Sequence, residues 1–136
     1  MSTLERLKET LAGNDEIVVA YLFGSAARDE DRAGSDLDVA VLLAKEVTEP
    51  LRRRALLMEE LTRASGVAVD VVVLGEASPL LAARVVRDGQ ILLSRDESAR
   101  VRFETDALRR YFDTARLRQE LDRAFVSAVK EDRLLG

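Results

Sequence analysis

Ile17-Val18-Val19-Ala20-Tyr21-Leu22-Phe23-Gly24-Ser25, followed ten residues later by Asp36-Leu37-Asp38-Val39-Ala40-Val41-Leu42-Leu43, is the stretch that decides how this chain is read. Two apolar runs rich in β-branched and aromatic residues enclose a Gly-Ser turn, and the second run opens with two carboxylates. Runs of this length bounded by turn residues read as strands. Alternate side chains on a strand share a face. Asp36 and Asp38 can therefore hold one oxygen-loving cation between them, or two side by side. A Gly-Ser turn brings backbone N–H groups and a hydroxyl against a phosphate oxygen. Together these elements describe a site for a metal-bound nucleoside triphosphate.

Working outward, Leu4, Leu7, Leu11 and Ala12 recur at helical spacing before Gly13-Asn14, which predicts an N-terminal helix. Between 48 and 64 the residues Leu51, Ala55, Leu56, Met58 and Leu61 predict an amphipathic helix, with Thr48 as its N-cap and Pro50 in its first turn. Val67 to Leu74 is apolar on both faces, as expected of a central strand covered on each side. Leu80 to Arg87 reads as a helix entered through Ser78-Pro79, and Gln90 to Ser94 as a short strand. From Asp96 to Leu135 the pattern is helical, with a break expected near Thr105-Asp106 or Asp113-Thr114. Strands alternating with helices give an α/β class, a small mixed β-sheet flanked by helices with a C-terminal helical stretch. One domain is expected over 1–136, its core about 15–94 and the helical stretch about 96–135.

Composition removes several chemistries. The chain has no Cys and no His, which excludes thiolate and imidazole catalysis and the usual structural zinc sites. Acid, base and metal-ligand chemistry falls to carboxylates. At 136 residues and 47% apolar the chain can bury a real core. Its longest uncharged apolar-rich run, Ile17 to Ala27, is too short to span a bilayer, and Ser2 to Asp15 is too charged for a signal sequence. The expectation is a cytoplasmic protein with no membrane partner. A formal net charge of -4 weighs against nucleic acid as a direct ligand.

Asp70 is the one polar residue of the Val67–Leu74 run. A carboxylate in a doubly covered strand costs several kcal/mol unless it is neutralised, paired or metal-bound. One reading gives Asp70 a salt bridge to an arginine, or a place at a strand edge. The other, favoured by the Asp-x-Asp and Gly-Ser elements, completes a cluster with Asp36 and Asp38. Arg52-Arg53-Arg54 looks like an anion patch, but successive helical residues turn by about 100°, so a solvated helix surface is the ordinary reading. The C-terminal stretch either packs on its own sheet or overhangs it and offers apolar surface to a partner.

Tyr21-Leu22-Phe23-Gly24-Ser25-Ala26-Ala27-Arg28, then Gly34-Ser35-Asp36-Leu37-Asp38-Val39-Ala40-Val41, resembles the signature of the polymerase-β-type nucleotidyltransferases. The short chain resembles their minimal form, the MntA-type antitoxins that partner HEPN-domain HepT toxins. The resemblance implies transfer of AMP from ATP to a hydroxyl, a tyrosine's on the HEPN toxin, with pyrophosphate leaving and the toxin neutralised. It implies that Asp36 and Asp38 ligate Mg²⁺, and that Asp70 ligates a second metal or takes the proton of the attacking hydroxyl. Gly24 and Ser25 would bind the triphosphate, with Arg28 a further phosphate contact. Where the family often has Gly after that arginine, this chain has Asp29-Glu30-Asp31, acids that oppose a polyanion if they face it. The toxin is expected from a neighbouring gene, in a homo- or hetero-oligomer. Two rival readings are an aminoglycoside-type nucleotidyltransferase and a catalytically idle antitoxin that acts by binding.

Overall fold

The computed structural model describes residues 1–24 and 36–135, the side chains of 132–135 excepted. Its elements run α1 (Thr3–Ala12), β1 (Ile17–Phe23), β2 (Leu37–Leu43), α2 (Pro50–Ser65), β3 (Val69–Val73), α3 (Pro79–Asp88), β4 (Gln90–Ser94) and α4 (Glu97–Leu135), with a 3-10 turn at Leu74–Glu76. The four strands form one mixed sheet in the order β3-β2-β1-β4. β1 is antiparallel to both β2 and β4, whereas β2 and β3 are parallel.

The sheet carries an apolar layer on each face. On one, α1 and α2 contribute Leu7, Leu11, Leu57 and Leu61 against Leu22, Val39, Val41 and Val71. On the other, Val19, Tyr21 and Ala40 lie with Val85 of α3 and Phe103 of α4. Strand alternation places Asp38 on this second face with Ala40, and Asp70 there with Val72.

Local chemistry explains most boundaries. Ser2 caps α1 and Ser78 caps α3, each accepting an N–H three residues on. Gly66 ends α2 in the left-handed region, with φ 79°. Pro50 opens α2 as expected, but the N-cap is Glu49 without a side-chain cap bond, so Thr48 does not fill that role. The buried stripe of α2 is Leu57, Leu61 and Ser65, while Leu51 and Leu56 are exposed. A helix with seven or eight apolar positions offers two candidate stripes, and the sheet takes the one three to four residues apart from 57.

β3 overturns the expectation of a central strand, because it lies at the sheet's edge. Its apolar run leaves Ala68 exposed and Asp70 and Val72 half-buried, alternating with buried Val69, Val71 and Val73. Apolarity on both faces reports side-chain cover and says nothing of how many strand neighbours the backbone has. α2 tends to the open edge instead. The Val69 N–H donates to Thr62 Oγ1 at 3.0 Å, and Arg54 Nε donates to the Val71 carbonyl at 2.5 Å.

α4 is unbroken through both positions where an interruption was expected. It starts beside Val18, whose carbonyl accepts from the Arg95 N–H, and by Tyr111 it lies against Arg87 of α3. Gly89, just beyond α3, sits against Leu22 near the Gly24 end of β1. The rest of α4 therefore runs past that end of the sheet. Its 39 residues extend about 58 Å at 1.5 Å per residue, whereas the 7 residues of β1 reach about 23 Å at 3.3 Å each. Among the described residues, no helix is long and apolar enough to cross a membrane.

Candidate active site

Asp38 is the centre of the predicted constellation. In the ladder it lies opposite Phe23 of β1 on one side and Asp70 of β3 on the other. Gly24 follows Phe23 with φ 79°, and a Cβ there would stand 2.7 Å from Asp38 Oδ2. The left-handed turn favours glycine at this position, and a Cβ there would also have to displace the Asp38 carboxylate. Partial burial raises the proton affinity of the Asp38 carboxyl, and the charges of Asp70 and Asp36 raise it further. Asp70 and Asp36 are thus each near enough to act on the Asp38 carboxyl.

Asp70 takes the first of its sequence readings and is also a neighbour of Asp38. It stands at a strand edge and pairs with an arginine, yet the register also sets it directly across from Asp38. Its side chain is 49% exposed, so the buried-charge argument that singled it out does not apply. What marks it instead is how it is held. Asp70 Oδ1 accepts from Arg54 Nη2 at 3.2 Å and from the Val71 N–H at 2.9 Å. Among the described residues Oδ2 has no hydrogen-bond donor.

Arg54 is the residue that sequence reasoning passed over. The three consecutive arginines do diverge: Arg52 reaches Glu49, Arg53 reaches Glu16 and Arg54 reaches Asp70. Arg53 and Arg54 are only partly exposed, so a solvated surface describes Arg52 alone. A signal was present, because Arg54 precedes Leu57 and Leu61 by three and seven residues and so lies on their stripe. Ser25, Arg28 and the acids Asp29, Glu30 and Asp31 lie outside the described residues.

The donor set is entirely hard oxygen, which suits Mg²⁺ or Ca²⁺ and disfavours softer metals. Among the described residues no three acidic side chains are arranged to hold a metal ion. The carboxylate repulsion at Asp38 is the kind of strain that a shared cation relieves.

Residues 5–98 match the model of the family described as polymerase beta, nucleotidyltransferase, and this chain belongs to that family. No curated protein matches the sequence. Among solved structures, a toxin-antitoxin with AMP-PNP is similar at 27% identity and a TM-score of 0.76, over 90% of this chain and 98% of that one. A chain of the toxin-antitoxin MntA-HepT is similar at 26% identity and 0.71, over 91% and 97%. A chain of the tri-AMPylated Shewanella oneidensis HEPN toxin in complex with MNT antitoxin is similar at 25% and 0.72, over 91% and 96%.

Proposed function

We propose that this chain is a nucleotidyltransferase antitoxin, moving AMP from ATP to a tyrosine hydroxyl of a HEPN-domain toxin and thereby silencing it. The observation that carries the reading is Asp38 set between Gly24 and Asp70 at one end of the sheet. Family membership supplies the reaction class, and the AMPylated toxin of a similar complex supplies the acceptor by analogy.

In this reading Asp36 and Asp38 would hold Mg²⁺ together with the triphosphate. The bound ion would supply charge stabilisation at the attacking and leaving oxygens of an in-line displacement. Gly24 lets the backbone approach the phosphates, and Ser25 and Arg28 are the proposed further contacts. The acceptor oxygen bonds to the α-phosphorus while the bond from that phosphorus to the α,β-bridging oxygen breaks. Pyrophosphate leaves with the electron pair. Asp70 Oδ2 takes the proton of the attacking hydroxyl; if it held a second cation instead, that proton would pass to water. Much of the remaining task is holding two reactants in line.

A protein acceptor is supported by α4. Leu117, Leu121 and Phe125 are 54%, 59% and 70% exposed on the part of the helix that passes the site end of the sheet. Exposed apolar side chains grouped on one element suit a macromolecular partner better than a small cationic drug. Replacing Asp36 or Asp38 by Asn tests the assignment: transfer from labelled ATP to the partner should fall below detection with the fold retained. Full activity in the doubly substituted protein removes both residues from the site.

A further inference from the structure

We propose that Arg54 is a positioning residue for the transfer reaction, fixing Asp70 so that Oδ1 is tied and Oδ2 is left to the acid cluster; this rests on the reading of that cluster as the transfer site. Arg54 comes from α2, whose core residues Leu57 and Leu61 pack on the face of the sheet away from Asp38. It reaches Asp70 around β3, the edge strand of the sheet. The guanidinium is itself anchored, with Nε on the Val71 carbonyl and Nη2 on Asp70 Oδ1. The Val71 N–H closes the arrangement by donating to the same Oδ1. The Val71 N–H and one planar fork, itself anchored on the Val71 carbonyl, therefore define the carboxylate's orientation.

Stability does not account for the pair. With side chains 40% and 49% exposed, an ion pair of this kind adds little to folding in water. Its consequence is orientation and charge: the Arg54 cation on Asp70 Oδ1 partly balances the negative charge that Asp70 brings beside Asp38. An ammonium on a flexible stem cannot occupy both acceptors in the same plane, so lysine is an incomplete substitute.

The test uses the full chain, its toxin partner, Mg²⁺ and labelled ATP. Arg54→Met should lower kcat for transfer by about tenfold to a hundredfold, the range typical of residues that orient a reacting ligand. KM for ATP should stay within about twofold, since the triphosphate keeps its own contacts. Arg54→Lys should recover part of the loss. Thr62→Val serves as the comparison, because it breaks the other side-chain link from α2 to the β3 edge without touching Asp70; it should keep kcat. Equal kcat in Arg54→Met and the unmodified protein overturns the inference, as does an equal loss in Thr62→Val. Absence of transfer by the unmodified protein overturns the underlying reading, and the inference with it.

Discussion

At the scale of single residues, two glycines share a backbone and differ in their surroundings. Gly24 and Gly66 both have φ 79°, but a Cβ meets Asp38 Oδ2 at the first and nothing within 4 Å at the second. Gly66→Ala should therefore cost only the left-handed strain, about 1–2 kcal/mol, with transfer intact. Gly24→Ala should cost that much or more and also displace the Asp38 carboxylate, lowering activity by at least about tenfold. Denaturant titration and transfer assays on both variants check this, and equal activities would detach Gly24 from the site. Asp38 adds a pH-dependent expectation for the metal-free protein. Its carboxyl is raised above the unfolded value by burial and by Asp70 and Asp36. The native state then holds the proton more tightly, so stability is full below the unfolded pKa and falls as pH rises through the raised one. Asp38→Asn avoids that loss. Melting curves in chelator should show its advantage absent near about pH 3 and growing toward neutrality; an advantage that shrinks with rising pH would contradict the repulsion.

Among the elements, α2 governs the exposed border of the sheet through side chains. Thr62→Val should leave the part-buried Val69 N–H without its acceptor, a loss of about 0.5–1.5 kcal/mol, the net worth of a typical hydrogen bond. Thermal or denaturant unfolding measures it, and an unchanged stability would mean that the edge is sealed by other means. These elements were legible to differing degrees. The span of β1 matches Ile17–Phe23 and β4 matches Gln90–Ser94, since alternation and flanking turn residues act locally. The place of β3 at the edge was hidden, because strand order depends on which helices cover which strands. Arg54 was hidden for the same reason. A charged residue on an apolar stripe declares its position but not its partner, and that partner is 16 residues away on a strand whose neighbours the chain does not spell out. The acid pair Asp36 and Asp38 and the glycine before them were readable because their spacing is local to one strand-turn-strand unit.

For the molecule as a whole, the sheet brings its acids to one end and α4 carries apolar surface beyond that same end. Leu121 and Phe125 are too exposed to matter much to the fold. Leu121→Glu with Phe125→Glu should leave the melting temperature within a few degrees, as about 0.5 kcal/mol of surface change implies. Binding to the toxin partner should weaken by at least about tenfold, the equivalent of 1.4 kcal/mol. Calorimetry on the pair reads both, and unweakened binding would move the docking surface elsewhere. The central claim is more directly exposed to a single measurement: intact-mass analysis of the HEPN partner after incubation with this protein, ATP and Mg²⁺. The account predicts one or more AMP additions on tyrosine with pyrophosphate released, and none when Asp38→Asn replaces the unmodified protein. Tight complex formation with the partner's mass unchanged, or label appearing on an aminoglycoside in its place, would contradict it.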